Sequence, residues 1–559
     1  MTTFGRERGR LALILALGAL LYLPSVWTRD LWNPDEPRYA EATRTMVSTG
    51  NFILPRLNGK AYYEKPPLFF WLSAAAGEVP GIPPGSGGRL VSAAASTGTM
   101  ILTWRIGAMI MGEATGALGA VLLSTLILFW NVGQTGVIDP LLTFLCTLAV
   151  YSYTRHMMGR RGGILLFYVA SGFGVLAKGP VAFLLPALAI VAFTLLHRGA
   201  GALRASHPLW GVPIVILPVS VWILAGALSG GGREFIETMI IRQNLGRAVD
   251  AFIHKEPFYY LVLILPVVLL PWSIFLPQAL AATFKEKVCG VRPLLLPFAW
   301  FVTTLLFFSL ISSKKTRYLM PLCPPAALLV AGWMMRRLME GSGRLREGRG
   351  ALLILSGIGL ASASGIGWFA LRGPGSLPSS LMAPLQAPGS EAALAAVTRA
   401  LGFPSSLVFL LPAILLGAAS LGAGILTGSR RGEALAVILT GWIILLASGS
   451  ILWTPVVNEL KSARWLAERI RPEMDRGPVY YVESIHEGAL NFYLRKDQIP
   501  VIDGPSEARR ALAEPGARFI GSIDDLDRAG RRAGTGFEPE VCRRVGSRVL
   551  CLATASNDR

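Results

Sequence analysis

The feature that most constrains this chain is a series of apolar runs. Leu11–Val26, Gly116–Trp130, Val181–Leu196, Gly211–Leu228 and Phe258–Leu276 hold almost no charge. They approach or reach the roughly 18–20 residues that span hydrocarbon. Of the 559 residues, 52% are hydrophobic and 16% charged, against about a quarter charged in an ordinary soluble domain. A single soluble core also stops growing near roughly 250–300 residues. The expectation is an integral membrane protein. The formal charge of +19 would point to nucleic acid in a soluble protein. Here the basic residues sit mostly in short loops between apolar runs, so topology explains them and no nucleic-acid partner is expected. The start, Arg6, Arg8 and Arg10 followed by Leu11–Leu23, mimics a signal peptide. Trp27 and Trp32 follow in place of a small-residue cleavage motif, so it reads as a retained first span.

Apolar patterning predicts thirteen spans. They begin near Leu11, Leu90, Thr115, Leu141, Ile164, Val181, Leu209, Phe258, Pro293, Leu319, Ala351, Ser405 and Ala434. With the basic N-terminus in the cytoplasm, alternate loops carry Arg155, Arg160 and Arg161, then Arg198 and Arg204, then Lys285, Lys287 and Arg292. Arg336, Arg337, Arg344, Arg346 and Arg349 follow, and Arg430 and Arg431 close the series. That is the positive-inside pattern. The outward segments are then the first loop, Thr28–Arg89, the polar Ser229–Pro257, the Pro/Gly/Ala-rich Arg372–Pro404, and the tail.

In the tail, Asn458–Arg471 reads as a helix, Val479–Tyr481 as a strand, Glu487–Arg495 as a helix and Pro500–Ile502 as a strand. This alternation suggests a small α/β domain. The expected fold is an α-helical polytopic membrane domain over residues 1–455, with interfacial helices in the first outer loop at 28–89. A C-terminal α/β domain over 456–559 follows it. Cys146, Cys289 and Cys323 lie in or beside spans and read as packing residues. Cys542 and Cys551 flank a hairpin turning at Gly546-Ser547, which opposes them at about 4.5 Å between Cα atoms, within disulfide range. An oxidising compartment favours the bond; two free thiols are the alternative.

Several charged groups gather on the outer face. Asp30-Leu-Trp-Asn-Pro-Asp35-Glu36-Pro-Arg38-Tyr39 follows the first span. Pro34 with two acids is a good helix start, and Tyr39 would share a helix face with Asp35. Tyr62-Tyr63-Glu64-Lys65-Pro66-Pro67 precedes an aromatic run, which alone would suit an interfacial helix. Asp139-Pro140 opens the fourth span, where ordinary capping also accounts for it. Lys178 sits at an outer turn, where a lone Lys often snorkels. His254 precedes the eighth span. Ser312-Ser-Lys314-Lys315-Thr-Arg317-Tyr318 violates the charge rule that the other loops obey. An anion explains it where an orientation signal does not. Acids and cations converging beside apolar helices fit a phosphate-headed lipid and a polar acceptor.

At these residues the chain resembles the GT-C glycosyltransferases of the dolichyl-phosphate-mannose protein mannosyltransferase superfamily. Within it, the likeness is to the bacterial aminoarabinose transferases that modify lipid A. The matching pieces are Trp32–Ala40, Tyr62–Pro67, Asp139-Pro140, Ala177-Lys178-Gly179, His254–Phe258 and Tyr318–Pro321, in family order between about 10 and 340. The resemblance implies an inverting transferase in the bacterial inner membrane, with its C-terminal domain in the periplasm. It also implies an undecaprenyl-phosphate-sugar donor and lipid A or another envelope acceptor. Asp35 would be the central catalytic carboxylate, with Glu36 beside it and Asp139 a second acid. Arg38, Tyr39, Tyr62, Lys65, Lys178, Lys314, Lys315, Arg317 and Tyr318 would serve the donor phosphate. Glu64 and His254 could share a divalent metal. Pro37 after the acidic pair and the unusually basic Lys314–Arg317 cluster depart from the family pattern, which bears on the sugar and acceptor. No Gly-rich phosphate loop between strand and helix is present, and the cytoplasmic loops are short, so no nucleotide cofactor is expected. A protein O-mannosyltransferase-like enzyme shares all these features. A transporter or flippase would place its ionisable groups nearer mid-membrane and show inverted halves.

Overall fold

The computed structural model describes residues 3–239, 256–285, 293–312, 314–339, 345–372, 405–426, 431–483, 488–534, 536–545 and 548–556. Outside them lie His254, Cys289, the Gly546-Ser547 turn and most of the Arg372–Pro404 segment.

Helices occur at every position where the apolar pattern starts a span. The first is α1 (Thr3–Tyr22), extended by the short α2 (Pro24–Thr28). The outer loop then builds α3 (Asp35–Thr49) and α4 (Leu68–Gly77). Next come α5 (Gly87–Met111), α6 (Glu113–Ser124), α7 (Ile127–Gly133), α8 (Ile138–Met157), α9 (Gly163–Lys178), α10 (Val181–His197) and α11 (Pro208–Gly226). Further helices include Tyr260–Val268, Leu295–Leu310, Cys323–Met334, Leu345–Arg372, Ser405–Leu426 and Arg431–Ile451. Among the described residues, four helices are long and apolar enough to cross a membrane, and up to six spans result if each of two sharply bent pairs is one. One bent pair is α6 with α7, which meet at 67°. The interhelical core is continuous and includes the large buried rings of Trp104, Trp272, Phe129 and Phe275. Cys146 and Cys323 are buried free thiols in it.

The outer loop is ordered by local rules. Asp35 and Glu36 occupy the first turn of α3, where acids complement the helix dipole, and Gly50 closes it with φ +69°. Asn58 and Gly59, both at positive φ, turn a two-residue hairpin between β1 (Arg56–Leu57) and β2 (Lys60–Ala61). Asn-Gly is the pair such a turn demands.

The tail has its own two-faced core around a five-stranded sheet ordered β4-β3-β5-β7-β6. β3 is Val479–Val482, β4 Val501–Ile502, β5 Arg518–Ser522, β6 Phe537–Val545 and β7 Arg548–Ala555. β3 pairs in parallel with β4 and β5, and β7 runs antiparallel to β5 and β6. Cys542 faces Cys551 in this register and the two form a disulfide, Cα to Cα 4.0 Å. The single helix expected over Asn458–Arg471 is instead two, Thr454–Lys461 and Arg464–Ile470. The break comes at Ser462, which leaves the helix for an extended conformation, bridges Trp32, and hydrogen-bonds the Arg464 amide with its hydroxyl.

This unit is seated on the outer loop by buried polar contacts. Asn58 donates to the Ile499 carbonyl (2.9 Å) and accepts from the Ile499 amide (2.7 Å) and from Asn491 (2.9 Å). Tyr481 donates in turn to Asn491. Asn458 accepts from the Asp30 amide and the Trp32 indole and donates to the Thr28 carbonyl. A buried group stripped of its partner carries its full desolvation cost, about 1–3 kcal/mol. Asn58→Ala strips at least two such groups. It should lower the thermal unfolding midpoint of the solubilised protein by the equivalent of about 2 kcal/mol or more; an unchanged midpoint would contradict this seating.

Candidate active site

Adjacent residues on a helix point about 100° apart, and the Asp35-Glu36 pair divides accordingly. Glu36 turns inward and is 2% exposed. One of its oxygens accepts from Arg89 Nε (2.7 Å) and from the Gly136 amide (2.9 Å); the other accepts from the Trp32 amide (2.9 Å). Arg29 lies 3.9 Å away. Burial pushes the Glu36 carboxyl up, but Arg89 and Arg29 outweigh it and hold it below the usual carboxylate range. The sequence grouped Glu36 with the catalytic acids; its oxygens are instead taken up in fastening α3 to α5 and to the loop before α8. Arg29 and Arg89, which perform this fastening, were not singled out from the sequence. A lone cation at the head of the apolar α5 was the available signal.

Asp35 faces the other way. Its Oδ2 lies 2.5 Å from Arg317 Nη2 and 3.9 Å from Lys315 Nζ. Burial raises its pKa, and Arg317 followed by Lys315 overcomes that, so the carboxylate stays ionised below its ordinary range. Arg317 reaches a second acid as well, with Nε 3.5 Å from Asp139 Oδ2. Asp139 is in the first turn of α8, and its other oxygen meets Lys178 Nζ at 2.5 Å. Lys178 is the last residue of α9. Gly179 follows at φ +91°, ψ −169°, a backbone setting essentially reserved for glycine, which ends α9 at the residue that faces Asp139. The Lys178 ammonium also lies over the Tyr318 ring at 4.8 Å, and Tyr318 packs on Phe308. Four elements separated in sequence thus meet in one chain of charges, Lys315–Asp35–Arg317–Asp139–Lys178.

The remaining outer-loop residues surround it. Tyr39, one turn after Asp35, is buried against Phe69 and Phe70. Tyr62, at the exit of the hairpin, packs on Phe70. Burial pushes both phenols up, keeping them protonated. Arg38 lies within electrostatic reach of Tyr62, Glu64, Asp35 and Tyr39. Lys65 is half-buried on the turn into α4. Lys314 departs from expectation. Its ammonium donates to the Glu256 and Ile311 carbonyls (2.8 and 2.7 Å) and is 5% exposed, so it knits backbone segments and stands apart from the acid chain. Of the expected metal pair, Glu64 is described and His254 is not.

Chemically, three cations face two carboxylates, Asp35 and Asp139, one positive charge in excess. Such a site accepts an anion, and the cations already present can pass from carboxylate to phosphate oxygens.

Residues 10–285 match the family model for dolichyl-phosphate-mannose-protein mannosyltransferase. The chain is 29% identical over 356 residues to the undecaprenyl phosphate-alpha-4-amino-4-deoxy-L-arabinose arabinosyl transferase of Edwardsiella ictaluri, covering 62% of this chain and 63% of that protein. It is 31% identical over 328 residues to the protein of the same name from Pectobacterium atrosepticum, covering 57% and 58%. The matched region thus spans about three fifths of the length of these curated relatives. The crystal structure of ArnT from Cupriavidus metallidurans bound to undecaprenyl phosphate aligns with a TM-score of 0.74 over 100% of this chain and 99% of that one, at 20% identity. The fold is shared.

Glu36→Gln should cost about 3–5 kcal/mol, because it leaves the Arg89 guanidinium buried without its counter-charge. Yields of folded protein and the thermal midpoint should both fall. Retained stability in this variant would place the fastening elsewhere.

Proposed function

We propose that the chain is a GT-C glycosyltransferase of the dolichyl-phosphate-mannose protein mannosyltransferase superfamily, whose family model matches residues 10–285, and that it transfers a sugar from a polyprenyl phosphate to an envelope acceptor. The donor is of the undecaprenyl phosphate kind, and the sugar is aminoarabinose-like or another pentose or hexose. Lipid A is the acceptor we favour. The reaction takes place at the periplasmic face of the bacterial inner membrane. The chain crosses that membrane thirteen times, with the N-terminus in the cytoplasm and the C-terminal unit, from about residue 456, in the periplasm. The observation that carries this reading is the guanidinium of Arg317 held between Asp35 and Asp139 with Lys178 and Lys315 at the ends.

In this mechanism the bond from sugar C1 to the donor phosphate oxygen breaks as the acceptor oxygen bonds to C1 from the opposite side. The configuration at C1 inverts, and the polyprenyl phosphate leaves with the bonding electron pair. Arg317, Lys178 and Lys315 stabilise the charge that grows on that phosphate, donors already in place before the reaction. Asp35 is ionised, as a base must be, and takes the proton when the acceptor is a hydroxyl. A phosphate acceptor already offers an anionic oxygen as nucleophile, and Asp35 then orients it or steadies the oxocarbenium-like centre. Asp139 fixes Lys178 and Arg317 in the direction of the donor. Tyr39, Tyr62, Arg38 and Lys65 complete the wall. Glu64 and His254 are the residues that would hold a divalent ion in this proposal, and such an ion would supply further positive charge for the donor phosphate.

Asp35→Asn keeps the shape of the side chain and removes its charge. The variant should still fold, with a smaller loss of thermal midpoint than Glu36→Gln because Arg317 is partly exposed and keeps Asp139. It should lose at least about a hundredfold in sugar transfer, measured as radiolabelled sugar moved from polyprenyl phosphate to lipid A in proteoliposomes. Near-parental turnover would refute the assignment.

A further inference from the structure

A cavity of about 780 Å³ lies between the outer loop and the C-terminal unit. It is large enough for a drug-sized or disaccharide ligand, and Asp35, Asp139, Lys178 and Arg317 are not among the residues that line it. Glu36, Ala40, Thr43 and Val47 run along its α3 wall; their four-three-four spacing is a helical stripe, bordered by Tyr39, four residues after Asp35. Opposite stand Arg464, Arg471, Phe492 and Arg495 of the C-terminal unit.

The charges on its walls are unequal. Six arginines line it against four carboxylates. Arg29 and Arg89 are committed to Glu36, and Arg464 pairs with Asp30 and Glu468. Arg44 is held by Glu41 and Asp497. Among the described residues, Arg471 and Arg495 have no carboxylate partner; Arg471 donates only to the Tyr493 carbonyl (2.9 Å). The one remaining acid of the lining is Glu78. Arg495 is also placed against backbone preference. It caps the helix Ala489–Leu494 at φ +56°, ψ +41°, where glycine or asparagine is the usual residue. Local backbone preference does not account for an arginine there. A planar guanidinium pair suits the oxygens of a phosphate, and the ring of Phe492 suits the C–H face of a sugar.

We propose that this cavity binds the phosphorylated saccharide head of the acceptor, with Arg471 and Arg495 on its phosphate oxygens. This rests on the transferase reading above and gives it a second, separate subsite. The two subsites share a wall. Tyr39 lines the cavity and also lies within electrostatic reach of Asp35 and Asp139, so a headgroup seated there has one end beside the reacting centre.

The test is direct binding to the full-length protein in phosphatidylcholine nanodiscs, by calorimetry. The probes are a water-soluble bisphosphorylated glucosamine disaccharide, inorganic phosphate and undecaprenyl phosphate. Arg471→Gln/Arg495→Gln, at two exposed positions, should weaken disaccharide binding at least tenfold and leave undecaprenyl phosphate binding within twofold. Arg471→Lys/Arg495→Lys should recover part of the loss. Equal disaccharide affinity in the parent and the Gln variant overturns the proposal. So does inorganic phosphate binding the parent as tightly as the disaccharide, which would make this a site for free phosphate. Arginine-dependent disaccharide binding in a protein that transfers no sugar would leave the site standing and remove the transferase reading. Transfer from a protein whose binding ignores both arginines would do the reverse.

Discussion

Glu36 and Arg89 meet out of water, and the geometry of the outer face follows from that contact. A buried charge left unpaired costs several kcal/mol, so α3 is held where Glu36 reaches Arg89 Nε at 2.7 Å and the Gly136 amide at 2.9 Å. Because Asp35 precedes Glu36 on the same turn, the anchoring of one carboxylate fixes the direction of the other. Three residues after Gly136, α8 presents Asp139 in its first turn. One ion pair therefore sets the separation of the two acids that Arg317 bridges.

Around that anchor, ordinary local chemistry does the rest. Gly179 ends α9 at Lys178, whose ammonium meets Asp139. The Asn58-Gly59 turn brings Tyr62 back beside Phe70 and offers Asn58 to the C-terminal unit. That unit in turn holds the start of the outer loop through Asn458, and the α3 stripe through Arg44 to Asp497. The helices and loops of the C-terminal unit are thus part of what keeps the acids in register, as well as one wall of the arginine-lined cavity.

Much of this was legible in the residues themselves. Apolar runs announced the helices, since hydrocarbon leaves the backbone few other options. Charged residues in an otherwise greasy chain announced the site; Asp35, Asp139, Lys178, Lys315 and Arg317 were named on that basis, Tyr318 was assigned to the donor pocket through the family likeness, and all six meet in space. What sequence did not separate was the role of neighbours. Asp35 and Glu36 look alike in a string, and only their hundred-degree divergence on the helix assigns one to the ion chain and the other to the anchor. Lys314 and Lys315 divide in the same way, one to backbone carbonyls and one to Asp35. The Asn-Gly hairpin carried a clear signal that the surrounding Tyr-Glu-Lys-Pro-Pro run overshadowed. The cavity beside the C-terminal unit had none, because the two arginines without a carboxylate partner, Arg471 and Arg495, come from surface positions more than four hundred residues from α3.

The central claim is that the Arg317 bridge is the seat of the donor phosphate. A structure of the protein with undecaprenyl phosphate bound tests it most directly. The account predicts phosphate oxygens within hydrogen-bond distance of Arg317 and Lys178, with Asp35 released from Arg317 and turned to the acceptor side. A phosphate resting elsewhere while Arg317 still clasps both carboxylates would contradict it.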